Sequence, residues 1–276
     1  MARLNFLEET RFEKLPVHIY PDPDAASKQV AARIAAIIKN KQQLNQKAVL
    51  GLATGVTPIK VYRELVRLHK EEGLSFSNVV TFNLDEYYPM QPGAEQSYVR
   101  FMNENLFDHV DIDKQYVHIP DGTLAPDDIE AFCRDYESKI TAYGGLDLQL
   151  LGIGRTGHIG FNEPGSPPNS GTRLVTLNDL TRSDAAKDFG GKDNVPTKAI
   201  TMGIGTIFHA REIILMAWNT KKAEIVKKAI EGDISAEVPA TFLQLAEHVE
   251  FVLDEDAASL LTRFDTPWLV KDCIAN

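Results

Sequence analysis

Short apolar, β-branched runs recur along the chain at "VHIY" (17–20), "AVLGLA" (48–53), "VVTFNL" (79–84), "LDLQLLGIG" (146–154), "AITMGI" (199–204), "EIILMAW" (212–218) and "VEFVL" (249–253). Charged residues, Gly or Pro interrupt each run, the pattern of strands buried in a sheet. Between them the apolar period lengthens to that of helices over Asp24 to Lys39, Pro58 to Glu71, Pro126 to Tyr143 and Lys221 to Glu231. Strand–helix alternation predicts an α/β fold, an open, mostly parallel twisted sheet with helices on both faces. Asp24 is expected to cap the first helix, and Thr57 the second with Pro58 at its first position. Gly73 and Gly232 read as stop signals. Without an internal repeat or a linker, residues 1–276 read as one domain.

The 276 residues are 43% hydrophobic and 25% charged, enough for a sizeable core and against disorder. Apolar runs end well short of the roughly 18 residues of a membrane span, and Met1 to Phe12 carries acidic residues and no export-signal stretch. Cys133 and Cys273 match no paired motif and are expected to be free thiols in a reducing cytoplasm. A net charge of −10 argues against sequence-independent nucleic-acid binding and leaves room for a small anion where positive groups converge.

"LGIGRTGHIGFNEPGS" (151–166) places Gly152, Gly154 and Gly157 in G-x-G-x-x-G order after an apolar run. A dinucleotide fingerprint needs its last glycine to open a helix whose N-terminus faces the pyrophosphate. Here "NEPGSPPNSG" (162–171) follows, with three prolines and two glycines, and predicts a loop. Nicotinamide and flavin binding are therefore disfavoured. What remains is a strand end, backbone that a ligand can approach, and His158 and Glu163 beside it.

Ligands of open parallel sheets bind outside the carboxyl ends of the strands. Two further strand ends carry chemistry. "NLDEYY" (83–88) presents Asp85 and Glu86, and "GLATGVTP" (51–58) gives a turn of Thr54, Gly55, Val56 and Thr57 running into helix amides that suit a phosphate. Lys221 and Lys222, after the "ILMAWN" strand, are candidates for its counter-charge. Singly, each feature also has a structural explanation: a satisfied histidine, capping acids, a tight turn, a solvated helix face.

Together, "LGLATGVTP", "TFNLDEYY", "SYVRFMNENLFDHV", "LLGIGRTGHIGFNEPGS", "TRLVTLNDLTR", "AITMGIGT" and "KKAEIVKKAIEG", in order over most of the chain, resemble the glucosamine-6-phosphate deaminases. The resemblance implies a Rossmann-like fold and conversion of glucosamine 6-phosphate and water to fructose 6-phosphate and ammonia, with neither metal nor organic cofactor. It implies Asp85 as the base moving the C2 proton to C1, His158 as the ring-opening group, and Glu163 as its orienting carboxylate. Thr54, Gly55, Val56, Thr57, Lys222 and Lys187 would hold the phosphate. The partner is then a small amino-sugar phosphate, with no nucleic acid or membrane and with room for a homo-oligomer.

Thr156 departs from the family's usual aspartate or asparagine beside the histidine, and it can neither hold a charge nor offer an amide. Ser166 and Arg173 match a regulatory site of some relatives, whereas Pro167 and Val175 do not, which predicts no strong activation by N-acetylglucosamine 6-phosphate. The stretch from Pro164 to about Lys187 is expected to act as a lid. The competing readings are a 6-phosphogluconolactonase-like hydrolase or other sugar-phosphate isomerase on the same scaffold, and a non-catalytic sugar-phosphate sensor.

Overall fold

The computed structural model describes residues 12–267; Cys273 and most of the Met1 to Phe12 segment lie outside it. In chain order the main elements begin with β1 (Val17–Tyr20), α1 (Pro23–Gln43), β2 (Ala48–Leu52), α2 (Ile59–Glu72), β3 (Val79–Asn83), β4 (Asp85–Tyr88) and α3 (Tyr98–Asn105). They continue with β5 (Val117–His118), α4 (Ile129–Ala142), β6 (Leu148–Leu151), β7 (Arg173–Thr176) and α5 (Asp179–Ala185). The last are β8 (Lys198–Thr201), α6 (Ile204–Phe208), β9 (Ile213–Ala217), α7 (Ala223–Glu231) and β10 (Val249–Asp254).

Seven strands form an open parallel sheet in the order β1-β10-β9-β6-β2-β3-β5. Its central strands β2, β3, β6 and β9 are buried throughout, as expected where helices cover both faces. Strand periodicity sorts their side chains. Leu50, Leu52, Leu148, Leu150, Ile214 and Met216 pack with α1, α2 and α3 on one face, whereas Val49, Phe82, Leu151, Leu215 and Phe251 pack with α4 and α7 on the other.

A second, three-stranded antiparallel sheet, β4-β8-β7, stands beside the carboxyl edge of the first. The run at 199–204 was expected in the parallel sheet; its strand instead pairs antiparallel with β4 and β7. The two sheets meet at Leu84, whose N–H donates to the Leu52 carbonyl at 2.9 Å and whose carbonyl accepts from Met202 N–H at 2.7 Å.

Both cap expectations are corrected. Asp22, not Asp24, caps α1, accepting from Ala25 N–H at 2.8 Å with Pro23 opening the helix. Pro58, not Thr57, occupies the cap position of α2, and no side chain caps the first-turn amides. Gly73 ends α2 in the left-handed conformation, φ 71°, as predicted. Cys133 is a buried free thiol, and burial pushes its pKa up to about 11. Among the described residues no helix is long and apolar enough to cross a membrane.

Candidate active site

A cleft of about 280 Å³ opens where β2, β6 and β9 end and the small sheet begins. Thr54, Gly55, Val56, Thr57, Asp85, His158 and Lys222 all line it, so the segments after four strands far apart in sequence, β2, β3, β6 and β9, converge on it. Trp218 Nε1 donates to the Thr57 carbonyl at 3.0 Å and fixes the Thr54–Thr57 turn from behind. The uncapped amides of α2 follow that turn, which favours an anion. Lys222 Nζ donates to the Ile153 carbonyl at 2.7 Å, and burial holds its pKa below the usual lysine range.

Asp85 is the first residue of β4 and is buried at the cleft wall. Among the described residues nothing donates a hydrogen bond to its carboxylate. Burial, and then the charge of Glu86, pushes its pKa up to about 8. Glu86 points to the opposite face of the strand, as adjacent strand residues must. It accepts from Ser97 Oγ at 3.0 Å, Tyr98 N–H at 2.8 Å and Val99 N–H at 3.3 Å, the opening of α3. Burial raises its pKa to about 7 against those bonds. Of the two acids at this strand end, Glu86 is the structural one and Asp85 faces the cleft.

His158 lies over Gly154, where an added Cβ would come within 2.1 Å of the imidazole. That close approach, rather than a dinucleotide, is what the second glycine of the G-x-G-x-x-G run serves. Gly157, at φ 79°, completes a turn whose N–H donates to the Gly154 carbonyl at 3.0 Å. His158 Nδ1 is 2.8 Å from Thr156 Oγ1 and 3.4 Å from Glu163 Oε2; Thr156 Oγ1 is itself 3.4 Å from that carboxylate oxygen. A proton on Nδ1 satisfies this cluster and leaves Nε2 unprotonated. Asn178 donates to Glu163 from its side chain at 2.7 Å and from its N–H at 3.3 Å. Burial acts to raise the Glu163 pKa, but the interaction with His158, followed by the Thr181 side chain and the Asn178 N–H, outweighs it and holds the carboxyl below its ordinary value.

Thr156 and Glu163 thus stand behind His158 rather than in the cleft lining. Lys187 is not brought into the cleft: it is exposed in the turn that follows the end of α5 at Ala185, and it is absent from the cleft lining. The expected lid is only partly loop, since it contains β7 and α5, and α5 covers the cleft with Thr181, Asp184 and Ala185. Arg173 reaches Ser166 Oγ at 3.2 Å, so those two predicted neighbours do meet. Sequence reading missed Arg155, Tyr87, Tyr98 and Asp184 in the lining and Asn178 behind it. Arg155 lay inside the quoted motif, and Asn178 carried the signal of a helix cap, which it is, accepting from Thr181 N–H at 2.8 Å.

Over residues 21–252 the chain matches the family described as glucosamine-6-phosphate isomerases/6-phosphogluconolactonase. The chain belongs to this family. Within the glucosamine-6-phosphate isomerase/6-phosphogluconolactonase family it is similar to a glucosamine-6-phosphate deaminase of Clostridium botulinum (strain Langeland), 48% identical over 233 residues, 84% of this chain and 95% of that one. A putative glucosamine-6-phosphate deaminase-like protein of Bacteroides thetaiotaomicron is 47% identical over 267 residues, 97% of this chain. This chain spans 40% of that relative's length. A solved structure of a monomeric glucosamine-6-phosphate deaminase is similar at a TM-score of 0.85 and 46% identity, over 89% of this chain and 100% of that one. The open, mostly parallel α/β architecture is therefore that of the family.

Proposed function

We propose that the chain is a glucosamine-6-phosphate deaminase, converting glucosamine 6-phosphate and water to fructose 6-phosphate and ammonia. The observation that carries the reading is the sharing of one cleft by a carboxylate that has no hydrogen-bond donor among the described residues, an oriented imidazole and an anion cradle. The phosphate sits on the Thr54–Thr57 turn and the first amides of α2, with Lys222 opposite. His158, its Nδ1 proton held by Thr156 and Glu163, exchanges a proton at the ring oxygen through Nε2 and opens the pyranose.

In the open-chain amino aldehyde Asp85 takes the C2 proton and returns it to C1. The product is a C2 imine, which water hydrolyses to the ketone and ammonia. A carboxylate without hydrogen-bond donors is suited to this step, because nothing stabilises its charged form against accepting the proton. Thr156 replaces a carboxylate or amide with a hydroxyl that can still pass a hydrogen bond from imidazole to Glu163. Because every named group comes from one chain, the chemistry does not require a homo-oligomer, and cytoplasmic placement accords with a sugar-phosphate substrate.

Lactone hydrolysis, the other activity in the family's description, has no use for a carbon base. The deciding experiment incubates the protein with glucosamine 6-phosphate in deuterated water and follows ammonia release and deuterium at C1 and C2, with Asp85→Asn as control. Ammonia with label incorporation is expected from the wild type alone. Binding without ammonia would favour a sensor, and hydrolysis of 6-phosphogluconolactone without label exchange would favour the lactonase.

A further inference from the structure

The turn closed by Gly157 N–H on the Gly154 carbonyl puts Arg155 and Thr156 side by side at the cleft rim. Their side chains diverge. Thr156 turns back to His158, whereas Arg155 reaches across to α5, where Nε donates to Asp184 Oδ2 at 2.9 Å and Nη2 lies 2.7 Å from Asp184 Oδ1. Both partners line the cleft, with side chains 50% and 43% exposed. A fork-on-fork pair open to water to that degree favours the paired state by about a factor of five or less.

The only cations among the described lining residues are Arg155 and Lys222. Lys222 lines the same cleft as both members of the pair, so a docked anion meets two cations and one competing carboxylate there. A phosphate dianion there carries more charge than Asp184 and likewise offers the guanidinium fork a pair of acceptor oxygens. The occupied partner is the weaker one.

We propose that Arg155 is a specificity-determining phosphate ligand, held in reserve by Asp184 and transferred to the substrate's phosphate when it docks on the Thr54–Thr57 turn. The proposal rests on the reading of that turn as the phosphate site and assigns to the glycine-loop arginine the role first expected of Lys187. Asp184 thereby acts as a built-in competitor whose removal strengthens anion binding, the opposite of what a merely structural ion pair would do.

The test titrates wild type, Arg155→Gln, Asp184→Asn and Lys187→Gln with inorganic phosphate by calorimetry, alongside KM for glucosamine 6-phosphate and thermal melts to confirm folding. Arg155→Gln is expected to weaken phosphate binding and raise KM about 10- to 100-fold, the loss of charge-assisted bonds. Asp184→Asn should tighten phosphate binding by up to about fivefold, and Lys187→Gln should cost less than Arg155→Gln. Arg155→Lys should recover part of the affinity, keeping the charge but not the fork. The proposal falls if Arg155→Gln leaves affinity within about twofold of wild type, or if Asp184→Asn weakens binding as much as Arg155→Gln does. Phosphate titration needs no turnover, so a wild type that binds phosphate but releases no ammonia would sink the deaminase reading and leave the Arg155 result standing.

Discussion

Two carboxylates flank the cleft, and the chain treats them in opposite ways. Glu163, behind His158, is surrounded by donors, from Asn178 on one side and the Thr156–His158 pair on the other, and its pKa lies below the ordinary value despite burial. Asp85, at the junction of the two sheets, is buried with no donor among the described residues, beside a second acid, and its pKa rises to about 8. Hydrogen bonds to a carboxylate stabilise its charge, and their absence in a buried site makes the charge costly. The first arrangement suits a group that keeps its charge and orients a neighbour, the second a group that must both take and release a proton.

The largest test of that contrast is Asp85→Asn, which keeps the shape and removes the base. Turnover of glucosamine 6-phosphate should fall by about 10² to 10⁴, the range of a lost proton transfer, while inorganic phosphate still binds. Glu86→Gln, one residue on, should act through folding instead, because Glu86 secures the opening of α3 and does not touch the cleft. A melt lowered by Glu86→Gln, with ammonia release per folded molecule retained, would keep the two acids distinct. Equal loss of turnover from both would merge them.

The same contrast governs how well the sequence could be read. The large parallel sheet was legible because its central strands are apolar runs buried on both faces, and periodicity reports burial. The small sheet was not: β4 is "DEYY", two acids followed by tyrosines, and β7 is a half-exposed "RLVT", so neither shows a buried-strand pattern. β5, only two residues long, falls below any periodic signal. Asp85, His158 and the Thr54–Thr57 turn could be proposed because each follows a legible strand. Arg155 and Asp184 could not, since their meeting depends on where α5 folds over the cleft; Lys187 was assigned to the phosphate by resemblance alone, which carries no information on which way its side chain points.

Stability against pH gives a smaller but independent measure of the Asp85 environment. Its folded pKa is raised from the ordinary carboxylate value to about 8, so the folded state holds a proton that the unfolded chain has already lost. The cost of the buried charge is absent below about pH 4, grows between about pH 4 and pH 8 and levels off above, on the order of a few kcal/mol. Asp85→Asn should therefore melt like the wild type at low pH and progressively higher than it as pH rises through that window. A stability difference independent of pH would mean that Asp85 is hydrated or paired in solution, and the opposition to Glu163 would dissolve.

The smallest expected effect probes the other side of the comparison. Thr156→Val keeps the volume but removes the hydroxyl that lies 2.8 Å from His158 Nδ1, leaving Glu163 at 3.4 Å as the imidazole's remaining acceptor. One neutral hydrogen bond is worth about 1 kcal/mol, so kcat should fall by about five- to tenfold with KM little changed, since the phosphate contacts are untouched. Thr156→Asn, which restores an acceptor at the same reach, should recover most of that loss. If Thr156→Val is silent, the direct Glu163–His158 contact suffices and the threonine only fills the turn. If instead it costs as much as Asp85→Asn, the imidazole's orientation depends on the hydroxyl alone, and Glu163 serves Asn178 and the start of α5 rather than the chemistry.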